Sequence, residues 1–244
     1  MDLSKSRAAR LLVLFATVAT AVAFIWFFQQ FIREQKAAEK TKKAVKTHMT
    51  SASALIRQGR LQPAEHHLKQ ALVLDSDSSG AHLRLGNLYL KQRQLPLAQR
   101  HFEKANQLSP EDVNIINNLG ATYEQLGKYQ QAIEEFKRAI QLMPGEAGGY
   151  NNLAWLYATC PDNKFRNTEK ALSLASKACE LTGWNNSSTL DTLATANAET
   201  GNFKEAVRWQ TKAVEFAPAT QKVALQRRLE SYREGKPYLT PAQK

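Results

Sequence analysis

The sequence predicts an all-α protein in which paired helices recur along the middle of the chain and one apolar helix precedes them. Two observations carry this prediction. Nine residues of the range 79–112 recur in the range 113–146 at a constant offset of 34 residues, and an uncharged stretch of 22 residues occupies 11–32. A repeat period of roughly 20 to 50 residues indicates stacked supersecondary units, each too small to bury its apolar face alone.

The apolar stretch 11–32 is predicted to be a transmembrane helix. Its 22 residues carry no charge, and at about 1.5 Å per residue they span roughly 33 Å, against a hydrocarbon core of about 30 Å. Trp26 and three phenylalanines lie toward its C-terminal end, where aromatic residues often meet the membrane interface. A cleaved signal peptide is the alternative, because the sequence AVA at 21–23 fits a cleavage site. Cleavage there would leave an apolar FIWFF start, which favours an uncleaved anchor.

The net charge of +11 is concentrated at the two ends of the chain. Residues 1–46 carry +6, residues 47–218 carry +1 and residues 219–244 carry +4. A nucleic-acid-binding protein usually carries its basic patch on the folded domain, so this distribution argues against that class and fits basic segments beside a membrane. We therefore predict a basic tail at 1–10 and, from its Ala, Lys and Glu content, a charged helical stalk at 33–46.

The segment 47–218 is predicted to hold five helical pairs, followed by a capping helix and basic tail at 219–244. Small residues at shared positions, such as Gly86 and Gly120, let the two helices of a pair approach closely. A shared proline ends the second helix, because proline cannot continue the backbone hydrogen bonding. The first, fourth and fifth copies match the pattern less well than the second and third. The five copies are about 45–78, 79–112, 113–146, 147–186 and 187–220.

These units resemble the tetratricopeptide repeat (TPR), a helix–turn–helix unit of about 34 residues. The resemblance rests on the pattern Leu-Gly-x-x-Tyr at 85–89 and 119–123, with the alanines, phenylalanine and proline that follow at the same spacing. The last repeats are similar to a TPR module that recurs in bacterial proteins, in the sequences LAWLYATCPD, ACELTGW, LDTLATANAETGNF and YREGKPY. The resemblance implies a right-handed superhelix with a concave groove. That module accompanies varied partners, kinases among them, so it implies no activity of its own.

The sequence contains no catalytic signature. It has no Walker A loop, H-E-x-x-H, G-x-S-x-G or C-x-x-C motif, and the repeats with their anchor leave no residues for a catalytic domain. We therefore expect a protein that is not an enzyme and uses no cofactor. The five histidines lack a supporting thiol or carboxylate spacing, so no metal site is predicted. Cys160 and Cys179 are expected to be buried free thiols; a disulfide is the alternative if the long connection between them folds back.

In the TPR family the first helix of each pair lines the concave groove. Carboxamides along this face can donate to and accept from an extended peptide backbone, and a tryptophan can supply an apolar anchor. The resemblance also allows an interpretation without a binding role, because asparagine is common at these positions in the family. The residues predicted to bind a peptide or partner are Arg84, Asn87, Lys91, Asn117, Asn118, Asn151, Asn152 and Trp155.

Anchor, stalk and groove together predict a membrane-anchored scaffold for protein–protein interactions that helps to assemble a bacterial envelope complex. The alternative is an accessory or sensor subunit of a separate enzyme, such as a kinase or transferase. The expected partners are proteins or peptides, with no nucleic acid and no small-molecule substrate.

The signals for orientation in the plasma membrane conflict. Three Lys or Arg residues lie in 1–10 and six in 33–46, and by the positive-inside rule this would place the repeats in the cytoplasm. A short basic start before an apolar stretch is instead typical of an export signal. On that basis we expect the repeats on the outer side.

Overall fold

The computed structural model describes the backbone of residues 3–238 and the side chains of Thr20 and of residues 22–238. The described residues form eleven α-helices and one short 3-10 helix, with no strand, which confirms the predicted all-α class. The first and second helices pack against each other, and each helix from the third to the tenth packs against the next one along the chain. The helices are α1 (Leu3–Arg57), α2 (Leu61–Leu74), α3 (Ser79–Lys91), α4 (Leu95–Leu108), α5 (Val113–Gln125), α6 (Tyr129–Leu142), α7 (Ala147–Thr159), α8 (Thr168–Leu181), α9 (Ser187–Glu199), α10 (Phe203–Phe216) and α11 (Ala219–Arg233).

The chain divides into two compact units, Met1–Asp77 and Ser78–Lys244. In the first unit α1 runs without a break, so the predicted apolar stretch, the stalk and the first helix of the first repeat are one continuous helix. Helix α2 packs against α1 through fully buried small and apolar side chains, among them Ala52, Ala64 and Leu68. Gly59 makes the turn between them at φ +73°, a conformation that favours glycine.

The predicted membrane segment 11–32 lies partly outside the described residues, because the side chains of residues 3–19 and 21 are not described. Within the part of the chain whose side chains are described, no helix has the length and apolar character needed to cross a membrane.

In the second unit the core of each pair lies where its two helices approach most closely. Phe102 and Phe136 are fully buried, and each ring lies against a glycine of the facing helix. A Cβ placed on Gly86 would be 2.6 Å from Phe102 Cε1, and a Cβ on Gly120 would be 2.6 Å from Phe136 Cε1. Real atoms do not approach so closely, so these positions require glycine. The sequence-based reason for the small residues is therefore confirmed.

The long connection between α7 and α8 contains the 3-10 helix Asn163–Phe165. Arg166 fastens it, since its Nε donates to the Cys160 carbonyl oxygen at 2.7 Å. Cys160 and Cys179 are both buried free thiols, as expected. Burial raises the pKa of the Cys179 thiol to about 11, which makes it unreactive at neutral pH.

Candidate peptide-binding groove

The eight predicted groove residues lie on three successive first helices of the second unit. Helix α3 contacts α5, and α5 contacts α7, so the predicted residues lie on neighbouring helices. Helix α5 illustrates how the side chains are directed. Asp112 caps its start, accepting from the Asn114 backbone N–H at 2.9 Å, and Ile116 and Leu119 are buried in the core. The rotation of the helix is thereby fixed.

Asn117 and Asn151 are the fifth residues of α5 and α7. In both, the side-chain carbonyl oxygen Oδ1 is buried and has no hydrogen-bond partner among the described residues. Gly148 contributes to this arrangement, because a Cβ there would lie 3.2 Å from Asn117 Nδ2. A buried acceptor left without a donor costs about 1–3 kcal/mol. Two such atoms at equivalent positions of successive repeats each lack a donor within the described residues.

Asn118 and Asn152 are half-buried, and no hydrogen bond from either side chain is found within the described chain. On α3, Arg84 and Lys91 are exposed and Asn87 is half-buried. The α3 part of this surface is therefore more basic and more open than the part formed by α5 and α7.

Trp155 is covered by the chain itself. The Arg228 guanidinium carbon lies 5.6 Å from the centroid of the Trp155 ring, and the Tyr238 ring lies 6.1 Å from it at an angle of 45°. Arg228 also lies 5.0 Å from the Tyr238 ring. The residue predicted as an apolar anchor for a partner is thus in contact with the C-terminal part of its own chain.

Asp191 holds Arg228 in this place. Arg228 Nε donates to Asp191 Oδ1 at 2.8 Å and Arg228 Nη2 to Oδ2 at 2.6 Å, a bidentate pair in which both side chains are largely buried. Gln210 Nε2 adds a third donor to Asp191 Oδ1 at 2.8 Å. Burial raises the pKa of the Asp191 carboxyl, and the Arg228 charge and the Gln210 amide oppose that rise.

Sequence reasoning missed this network, although one signal was available. Asp191 is the fifth residue of α9, the position that Asn117 and Asn151 occupy in α5 and α7. A carboxylate where the preceding repeats have a carboxamide indicates a cationic partner, which Arg228 provides.

Two glutamates near the C-terminal ends of first helices have raised pKa values. Burial raises the pKa of Glu124 on α5 to about 7. Burial likewise raises the pKa of Glu199 on α9 to about 7, against the opposing charge of Arg166. Both carboxyl groups therefore bind protons near neutral pH.

Two histidine pairs recur at the repeat spacing, one in each unit. His48 Nδ1 lies 3.0 Å from His67 Nδ1, and His82 Nδ1 lies 2.9 Å from His101 Nδ1. The ring centroids are 5.2 and 5.1 Å apart, so the nitrogens point almost directly at each other. This is the geometry of a hydrogen bond in which one imidazole donates and the other accepts. Within the described residues, no group of three or more metal-ligating side chains is present.

Comparison with known proteins identifies the repeats. The family model described as tetratricopeptide repeat matches residues 77–145, and no curated protein matches the chain in sequence. A solved TPR protein of Thermus thermophilus is similar to it with a TM-score of 0.65 and 20% identity, covering 78% of this chain and 99% of that one. Residues 77–145 are therefore tetratricopeptide repeats by sequence, and the described chain as a whole shares the fold of solved TPR proteins.

Two further solved structures show the same fold. The Pseudomonas aeruginosa pilF protein is similar with a TM-score of 0.63 and 19% identity over 80% of this chain and 86% of that one. YrrB, described as a TPR protein with an unusual peptide-binding site, is similar with a TM-score of 0.54 and 22% identity over 79% and 96% of the two chains. These similarities show that the described chain has the fold of these TPR proteins.

Proposed function

We propose that this protein is a scaffold whose α3–α5–α7 surface binds an extended peptide or partner helix. The observation that carries the proposal is the pair of buried Oδ1 atoms of Asn117 and Asn151, which lack hydrogen-bond partners at equivalent positions of successive repeats. Backbone N–H groups of a bound peptide would satisfy both acceptors and recover the cost of their burial. The peptide-binding site reported for YrrB supports the proposal by similarity of fold.

The proposal is tested by removing both acceptors without changing the size of the side chains greatly. In the double variant Asn117→Leu with Asn151→Leu, we expect unchanged or raised thermal stability and at least a tenfold loss of partner binding, since two hydrogen bonds at about 1 kcal/mol each are lost. The partner is first isolated by pull-down and identified by mass spectrometry. Asn114→Leu, at an exposed position of α5, is the matched control. Unchanged partner binding by the double variant would refute the groove.

We further propose that α1 anchors the scaffold in the plasma membrane, with the repeats outside, where it assists assembly of an envelope complex. Phe24, Trp26, Phe27 and Phe28 support this part, because these large apolar side chains are 56–71% exposed along one helix. Such a run of exposed aromatic residues is costly in water and is suited to a membrane. Alkaline extraction of membranes tests the anchor, and protease added to intact spheroplasts tests the orientation. A repeat domain that stays fully protected from the protease would contradict the orientation.

The same pull-down distinguishes the scaffold from the alternative function, an accessory subunit of a separate enzyme. Recovery of a single kinase or transferase favours the accessory role, whereas recovery of several structural proteins favours the scaffold.

A further inference from the structure

We propose that Trp155 and Arg228 form a binding site for an aromatic peptide side chain, and that the chain's own segment Lys236–Tyr238 fills this site. Trp155 lies one helical turn beyond Asn151 on α7, but the ring contacts that form this site do not involve the surface of Asn117 and Asn151, called here the asparagine surface. The Tyr238 ring contacts Trp155 at 6.1 Å between centroids and Arg228 at 5.0 Å from its guanidinium carbon. Since Arg228 also lies 5.6 Å from the Trp155 ring, the three groups contact one another, and an aromatic ring placed here gains from aromatic and cation–π attraction at once.

The walls of this site are held by contacts that do not involve Tyr238. Arg228 is fixed by its bidentate pair with Asp191, whose side chain is only 10% exposed, and by the third donor to that carboxylate from Gln210. Helix α11, which carries Arg228, is anchored through buried Leu225 and Leu229. An arginine held in this way presents its flat face without paying further conformational entropy on binding.

The segment Lys236–Tyr238 is held against the protein by other contacts than those of α11, which precedes it. Gly235 turns the chain after α11 at φ +71°, and the Lys236 N–H donates to the Ser231 carbonyl oxygen at 2.9 Å. Beyond this point Tyr238 is half-buried; it makes the ring contacts with Trp155 and Arg228 and packs against the buried cluster that contains Ala194 and Tyr232. Pro237 restricts the backbone next to the ring, which lowers the entropy cost of placing it.

These features describe a peptide site occupied from within the same chain. Helix α11 stays anchored by Tyr232, whose hydroxyl lies 3.0 Å from Thr195 Oγ1, so the tyrosine at 238 can leave while the walls remain. A partner segment with an aromatic residue after proline has the same chemistry and would compete for the site. Its apparent affinity is reduced by the fraction of molecules in which Tyr238 is bound.

The test uses the full chain and a fluorescent peptide of residues 235–244, GKPYLTPAQK. The Tyr238→Ala chain has an emptied site, so we expect it to bind the peptide at least about tenfold more tightly than the wild-type chain does, measured by fluorescence anisotropy. The matched control is the same peptide with alanine in place of its tyrosine, for which we expect no binding. Equal binding of the two peptides, or no gain in the Tyr238→Ala chain, would overturn the proposal.

Two further measurements keep the result interpretable. Adding Trp155→Leu to the Tyr238→Ala chain should abolish peptide binding; melting temperature reports whether that variant is folded. In the wild-type chain, the ring current of Trp155 should shift the NMR signals of the Tyr238 ring. This measurement needs no substitution of Trp155 or Arg228, and unshifted signals would overturn the proposal.

Two further experiments test whether the tyrosine comes from a second copy of the chain and whether this site is independent of the asparagine surface. If light scattering shows a wild-type dimer that the Tyr238→Ala chain does not form, the tyrosine comes from a second copy and the intramolecular form of the proposal is wrong. Asn117→Leu with Asn151→Leu should leave binding of this peptide unchanged, so failure of the asparagine surface and failure of this site are distinguishable.

Discussion

Replacing Gly120 by leucine tests the packing that defines the repeat. A Cβ at Gly120 would lie 2.6 Å from Phe136 Cε1 and 2.8 Å from Cδ1, whereas carbon atoms pack at about 3.5–4.0 Å. The ring or the whole of α6 must therefore retreat by about 1 Å, and the remaining leucine atoms require more space. Phe136 is fully buried, so it has no solvent-filled space into which to move.

The expected net cost follows from two opposing effects. Overpacking of a well-packed core costs about 1–3 kcal/mol, and four added carbons at this distance place Gly120→Leu near the upper end. Leucine is a better helix former than glycine by somewhat less than 1 kcal/mol. We expect a net destabilisation of about 2 kcal/mol, read as a lower urea midpoint in circular dichroism.

A control and a rescue identify the cause. Gly145→Ala adds a Cβ with nothing within 4 Å, and we expect it to be neutral or stabilising. In a Phe136→Ala background the added leucine enters vacated space, so Gly120→Leu should cost at least about 1 kcal/mol less there than in the wild-type chain. An unchanged urea midpoint for Gly120→Leu, or strictly additive effects with Phe136→Ala, would refute the explanation by close helix approach.

Two further predictions concern buried charge. Because the pKa of Glu124 is raised from 4.5 to about 7, the folded state holds this proton more tightly than the unfolded state, and the resulting stabilisation is present below pH 4.5 and is lost as the pH rises through 7. Glu124→Gln should therefore raise the free energy of unfolding at pH 8 by about 2 kcal/mol and leave it unchanged at pH 4. Glu230→Gln, at an exposed position, should change it at neither pH. Arg228→Met leaves Asp191 buried without its cation and should destabilise the chain by about 3–5 kcal/mol, and adding Asp191→Asn should restore part of the loss in chemical unfolding. A Glu124→Gln effect that is equal at both pH values, or no recovery by Asp191→Asn, would contradict these two explanations.

The sequence was most informative where the determinants of structure are local. Gly86 and Gly120 recur at the repeat period because each must admit a phenylalanine from the next helix, so two helical pairs are predictable from spacing alone. The unbroken α1 follows from the same logic, since residues 33–57 contain neither glycine nor proline to end a helix.

The candidate sites were predicted less well because their contacts join distant parts of the chain. Trp155 was recognisable as a groove residue, but its covering residues, Arg228 and Tyr238, come from the C-terminal region. The histidine pairs were within reach of sequence reasoning, because His48 and His82, and His67 and His101, share the 34-residue offset of the repeats. That recurrence shows that a pair of imidazoles belongs to the repeat, which separate inspection of each histidine does not reveal.

The fifth position of the first helices differs between α5, α7 and α9 in how its buried side chain is satisfied. At Asn117 and Asn151 the side chain is neutral, so a buried oxygen without a donor is tolerable at a cost of about 1–3 kcal/mol. At Asp191 the side chain is charged, and leaving it buried without a cation would cost considerably more. The chain therefore supplies Arg228 from α11, and that arginine in turn covers Trp155 and receives Tyr238. A single change from amide to carboxylate at this position thus accompanies the change from buried oxygens that lack a donor to a carboxylate that binds an arginine of the C-terminal region.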